Sequence, residues 1–99
     1  MAGIDFGRFR SQLSLRDVLA LLRFTPVSGR AGQLRGPCPF ACSPSGRSFV
    51  AYLTSNRYYC FSCHRSGNPL DLWAAARRLP IYDAALDLCR QLRIAPPFL

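Results

Sequence analysis

The sequence predicts an α+β fold: a small β-hairpin or sheet pinned at two cysteine-bearing turns and packed with about three helices. Three observations predict it. Two cysteine pairs, Cys38 with Cys42 and Cys60 with Cys63, bracket a stretch rich in β-branched and aromatic residues. One capping signal opens an apolar helical pattern near Ser14, and another opens a second pattern soon after Cys63. A proline then separates a third helical pattern, which ends at Pro96-Pro97. With 99 residues, no internal repeat and no linker-like tract, the chain reads as a single domain over 1–99.

Ser14 is the expected N-cap of the first helix, with Asp17 three residues on and Leu15, Val18, Leu19, Leu21 and Leu22 behind it. That helix is expected over Leu15 to Arg23, within an N-terminal unit at 14–24. Pro26, Ser28, Gly29, Gly32 and Gly36 mark the next segment as loop, interrupted by a short strand at Gln33-Leu34-Arg35. Ser48 to Leu53 reads as a strand, Thr54-Ser55-Asn56-Arg57 as a turn, and Tyr58 to Phe61 as the returning strand. The ribbon so formed occupies 33–67. Asn68 then caps a second helix with Pro69 at its first position and Asp71 in its first turn, running to about Arg78. After Pro80 a third helix is expected from about Tyr82 to Arg93, so the C-terminal helices span 68–94.

The cysteines stand as C-x3-C-x17-C-x2-C. Each pair lets one tight turn aim two sulfurs at a common point, and 17 intervening residues suffice for a hairpin to bring the turns together. That pattern suits a closed tetrahedral zinc site, with Cys38, Cys42, Cys60 and Cys63 as ligands of one structural Zn²⁺. A chain this short builds only a modest core, and such a metal contributes on the order of 10 kcal/mol to folding. Two disulfides are the competing reading, but nothing in the sequence suggests an oxidising compartment. A thiol redox role for Cys60-Phe61-Ser62-Cys63 is also disfavoured, because the motif ends a strand instead of opening a helix.

Charge is lopsided. Thirteen arginines face five aspartates, with no lysine and no glutamate, for a formal net charge of +8. Four thiolates and one divalent cation lower it by two, which leaves the chain strongly basic. Guanidinium groups fit phosphate and stack on bases, so the composition points to nucleic acid; a GC-rich genome is the bland account of the same arginines. No secretory signal is visible, since Arg16 and Asp17 interrupt the only N-terminal apolar run, and a reducing cytoplasm is the expected location.

From Gly36-Pro37-Cys38-Pro39-Phe40 onward the chain resembles the zinc-binding domain of bacterial DNA primases. The resemblance continues through Ser48-Phe49, Tyr58-Tyr59-Cys60-Phe61-Ser62-Cys63 and Gly67-Asn68, then Leu72-Trp73, Tyr82-Asp83-Ala84-Ala85, Leu88 and Ile94. It covers about Gln33 to Ile94. There are departures. The family's ligand histidine falls at Ala41 here, and Cys42 stands one residue later, so the pattern implies an insertion and a cysteine in place of histidine. Ser45-Gly46-Arg47 replaces a lysine-threonine-proline segment, and His64 stands where the family has glycine. In that family the domain engages single-stranded template while a separate catalytic domain starts an RNA primer. The resemblance therefore implies a single-stranded DNA-binding module of DNA replication that works with a primase polymerase domain or helicase in trans.

Individual residues divide between site and scaffold. Arg47, Arg57 and Arg65 flank the hairpin and cysteine turns and are the expected phosphate contacts; Tyr52 and Tyr59 are the expected stacking residues, with a stabilising cross-strand pair as the alternative. Strand alternation separates Phe49 from Val50 and Tyr52, and Tyr58 from Tyr59 and Phe61; the resemblance implies that Phe49 and Tyr58 are core, since they match aromatic positions that the family buries. His64 adjoins a ligand and is expected to point away from the metal; Cys89, Trp73 and the pair Arg77-Arg78 read as structural. Asp5, Asp17, Asp71, Asp83 and Asp87 are the only acids, and they form no cluster able to hold Mg²⁺, so no catalytic residue and no enzymatic activity are expected of this chain. The rival to the nucleic-acid reading is a structural zinc domain for protein interaction, which an exposed apolar patch on the last two helices would favour.

Overall fold

In the computed structural model the described residues are 3–30, 32–40 and 46–97. They form four helices and a five-stranded antiparallel sheet, one helix more than the sequence predicts. The elements in order are α1 (Phe6–Gln12), α2 (Leu15–Leu21), β1 (Ser28–Arg30), β2 (Gln33–Gly36), β3 (Phe49–Tyr52), β4 (Arg57–Cys60), β5 (Ser66–Gly67), α3 (Pro69–Arg77) and α4 (Ile81–Leu92).

The added helix, α1, is capped by Asp5, whose carboxylate accepts from Arg8 N at 3.1 Å. Only Phe9 of its seven residues is buried, so it carries no apolar stripe for sequence reading to detect. Its entry is clasped to the end of the chain: Asp5 N donates to Pro97 O at 2.8 Å. The Ser14 cap holds as expected, accepting from Arg16 N at 3.2 Å at the start of α2.

The segment expected to be loop up to the second strand contains β1, which pairs with β2 in register Ser28 with Arg35 and Arg30 with Gln33. Strand order follows chain order, β1-β2-β3-β4-β5. Gly36 ends β2 where a Cβ would come within 2.7 Å of the Phe24 ring, so the aromatic packs directly on backbone. α3 is closed by a reciprocal capping box, Asp71 N to Asn68 Oδ1 at 2.9 Å and Asn68 N to Asp71 Oδ2 at 3.0 Å. Its residues Leu70, Leu72 and Trp73 are buried. α4 packs on α3 and buries Ala84, Ala85, Asp87, Leu88 and Cys89.

One apolar cluster joins all layers: Ile4, Phe9 and Leu13 from the N-terminus, Leu15, Val18 and Leu19 from α2, Phe49 and Tyr58 from the sheet, and Leu72, Trp73 and Leu88 from the C-terminal helices. Antiparallel register fixes which sheet residues turn toward it. Leu34, Ala51 and Tyr58 share one cross-strand row, and Phe49 and Cys60 face each other in the next. No helix among the described residues is long and apolar enough to cross a membrane.

Candidate metal centre and the sheet face beside it

Cys38 follows β2, Cys60 ends β4, and Cys63 sits in the turn after β4. Their three sulfurs lie within 4.8 Å of one another. Cys38 and Cys60 are 7% and 0% exposed, so two thiol groups meet inside the protein. A tetrahedral zinc with Zn–S near 2.3 Å spaces its sulfurs about 3.8 Å apart, a spacing that the span of this cluster accommodates.

The backbone is already set for thiolates. Phe40 N points at Cys38 Sγ at 3.4 Å and Cys63 N at Cys60 Sγ at 3.5 Å. These two backbone donors stabilise the deprotonated form that binds metal. The Cys60 thiol in turn donates to the buried Ser48 Oγ at 3.7 Å. The second turn closes through His64 N to Cys60 O at 2.8 Å and Cys60 N to Arg65 O at 2.9 Å. Cys42 lies outside the described residues.

His64 has φ +61°, the left-handed region that glycine enters freely. That is the backbone reason for a glycine at this place in the resembling domains. Its Nδ1 is 2.9 Å from the Tyr59 hydroxyl. It is no member of the sulfur cluster among the described residues.

Behind the metal cluster, Phe49 stacks on Tyr58 with centroids 5.5 Å apart, and Phe40 meets Tyr58 at 6.2 Å. Both β-strand aromatics are buried, as the resemblance implies. Burial, reinforced by the charge of Asp71, pushes the Tyr58 hydroxyl up to about 12, so it remains a neutral member of the core. Cys89 is 2% exposed, and burial raises its thiol as well, consistent with a small core residue.

The opposite face of the sheet holds most of the expected nucleic-acid residues. Register places Ser28, Arg35, Val50, Tyr59 and Ser66 in one cross-strand row, and Arg30, Gln33, Tyr52 and Arg57 in the next. Tyr52, Arg57 and Tyr59 thus share a face that carries no acidic residue. Arg47 lines a recess with Ser28, Arg30, Gln33 and Arg35 at the edge of that face. Arg65 stands apart: its guanidinium lies 4.7 Å from the Phe40 ring centroid, in a cleft with Ala75, Ala76 and Arg78 on the helix side.

Three residues of this face were not singled out from the sequence. Phe61 is 54% exposed, meets Tyr59 edge to face at 4.8 Å, and has Arg35 over its ring at 5.6 Å. Arg30 and Arg35 join it only because β1 and β2 extend the sheet. The alternation of Tyr59 with Phe61 was the available signal for the first, and the short strand read at Gln33-Leu34-Arg35 was the signal for Arg35; β1, three exposed residues long, gave none for Arg30.

Comparison with known proteins agrees with this architecture. The Aquifex aeolicus primase, in a crystal structure of its zinc-binding and RNA polymerase domains, superposes with a TM-score of 0.75 at 21% identity, over 92% of this chain. This chain spans 22% of that primase chain. No curated protein sequence matches it. The family model described as the CHC2 zinc finger, the zinc ribbon of DnaG, matches residues 8–98. The chain therefore belongs to the CHC2 zinc finger family of the DnaG primase zinc ribbon, and one structural zinc is its cofactor.

Proposed function

We propose that this chain is a single-domain module that binds single-stranded DNA template in primer synthesis, alongside a catalytic primase domain in trans. The observation that carries the reading is the acid-free outer sheet face, where Tyr52, Arg57 and Tyr59 stand in adjacent rows beside the exposed Phe61. Aromatic faces stack on unpaired bases and guanidinium groups hold the phosphates between them. Cys38, Cys42, Cys60 and Cys63 hold the zinc, which fixes the ends of β2 and β4 and hence this face; Arg47 and Arg65 supply further positive charge at its borders. The zinc supplies structure here, and the chain itself makes no primers.

The test is fluorescence anisotropy of a labelled oligothymidine with zinc-loaded protein. A dissociation constant in the micromolar range or weaker is expected at moderate salt, as for other sequence-independent contacts. Arg57→Ala should weaken binding and flatten the salt dependence; Tyr59→Ala should weaken it with the slope unchanged. The zinc assignment is checked in the same preparations: Cys42→Ala should lose the metal, and His64→Ala should keep one zinc per chain. Absence of binding by the zinc-loaded wild type at low salt would sink the nucleic-acid reading.

A second reading, docking of a protein partner, is favoured by a groove of about 710 Å³ beside α4, lined by the apolar Leu79, Leu86 and Ile94, by Arg77, Arg90 and Arg93, and by the carboxylates Asp83 and Asp87. Its mixed apolar and charged lining fits an amphipathic helix of the partner. Leu86→Asp should then abolish stimulation of a catalytic primase domain in trans while leaving binding to single-stranded DNA intact.

A further inference from the structure

The recess at the β1–β2 edge has no role in the reading from sequence, yet its chemistry is specific. It measures about 290 Å³ and is lined by Ser28, Gly29, Arg30, Gln33, Arg35 and Arg47. Three arginines are among its lining residues, and no carboxylate is. Neither Arg30 nor Arg35 has an acidic partner among the described residues, where the ion pairs are those of Asp87 with Arg77 and Arg90. Two like charges, those of Arg30 and Arg35, with no carboxylate beside them favour an anion between them.

Arg35 is also held in place. Its Nη1 donates to Arg47 O at 2.9 Å, and its guanidinium lies over the exposed Phe61 ring. One of its five N–H donors is thus used in fixing the fork, and the others remain for a ligand. The opening lies at the lower limit of small-molecule pockets, about 300 Å³, so it admits a phosphate with its sugar and not a whole nucleoside triphosphate.

We propose that this recess seats one backbone phosphate of the single strand, with Arg30 and Arg35 as its donors and the adjoining base stacked on Phe61. The inference rests on the single-strand reading and adds to it a direction of travel. Ser28, Arg35, Val50 and Tyr59 form one row perpendicular to the strands, so the nucleic acid crosses the sheet from the β1–β2 edge toward β4. Phe61 and Tyr59, already in contact, then hold successive bases on the far side of the recess.

The experiment uses the zinc-loaded full chain, an oligothymidine labelled at one end, and anisotropy titrations at several salt concentrations. Arg30→Ala and Arg35→Ala should each weaken binding about threefold to tenfold and flatten the log–log salt slope by about 0.7, the value for one phosphate contact on a single strand. Arg35→Lys should recover part of the affinity. Phe61→Ala should weaken binding with the slope preserved. Arg78→Ala, on the helix side, serves as the control and should match the wild type. Equal zinc content in all variants establishes that the fold is kept.

Wild-type affinity and slope in both Arg30→Ala and Arg35→Ala, with binding by the wild type intact, would overturn the phosphate seat and leave the single-strand reading standing. Failure of the wild type to bind would overturn both. Pyrophosphate or ATP supplies the other arm: if either binds at the recess in an Arg35-dependent way while oligothymidine binding ignores the same mutation, the seat serves a terminal phosphate and the backbone proposal is wrong.

Discussion

Asn56 shows how much one side chain can organise. It is the last residue of the β3–β4 turn, directly before β4, with φ +60°, a conformation that asparagine tolerates better than most residues. From there its Oδ1 accepts from Leu15 N at 2.6 Å and its Nδ2 donates to Leu13 O at 2.8 Å. It thereby caps α2 from a position 41 residues away and ties the hairpin to the junction of the first two helices. Asn56→Ala leaves two partly buried backbone groups without partners and strains the turn, and should cost about 2–3 kcal/mol. Asn56→Gly relieves the backbone and should cost about half as much. Urea unfolding of the zinc-loaded proteins separates the two. Equal stability of wild type and Asn56→Ala would show that the clip carries no weight. The turn itself was legible in Thr54-Ser55-Asn56-Arg57, but its clip was not, because both partners are remote in sequence. The cysteine pairs were legible for the opposite reason: each is a local turn whose ligand chemistry is written in its own spacing.

At the scale of elements, α3 and α4 were the most readable parts of the chain. The Asn68 cap, Pro69 and Asp71 announce one helix, and Pro80 with the apolar spacing after it announces the other. What joins them was not readable. Asp87 is 9% exposed and accepts from Trp73 Nε1 at 2.8 Å, with Arg90 Nη2 at 3.3 Å and Arg77 Nε at 3.9 Å. Trp73 was expected in the core on apolar grounds, and it is there, but its indole N–H requires an acceptor that only the α3–α4 packing supplies. Asp87→Ala would leave that N–H buried and unsatisfied and should destabilise the domain by about 2–3 kcal/mol. Arg77→Ala should cost under about 1 kcal/mol, since Arg77 is half exposed and its contact is long. Thermal melts of the two variants test the contrast; a larger loss for Arg77 than for Asp87 would contradict it. α1 and β1 escaped for a related reason. Both are short and mostly exposed, and both exist because of partners elsewhere: the core beneath Phe9 and strand β2.

For the whole molecule the decisive quantity is what the metal contributes against what the core supplies. Domains of this size are stable by about 5–15 kcal/mol, and a structural zinc contributes on the order of 10 kcal/mol. Strong chelation should therefore remove most of the stability. Two of the sulfurs are buried beside Tyr58, so the sheet has no second device at that point. Addition of a tight chelator should lower the melting temperature by more than 10 °C, with loss of the near-ultraviolet signal of the Phe49–Tyr58 stack, and restored zinc should reverse both. A melting curve unmoved by complete zinc removal would show that the core alone holds the fold. Cys89, buried away from the cluster, should stay inert to alkylating reagents until that transition occurs.

The clasp between Asp5 and Pro97 has a topological consequence. Asp5 and Pro97, near the two limits of the described residues, lie side by side, next to α1 and the segment that follows α4. A short bridge between these two points would close the backbone into a ring while keeping their hydrogen bond. Such a ring loses much of the freedom that the linear chain regains when it unfolds, so it should melt at a higher temperature through its disordered state alone.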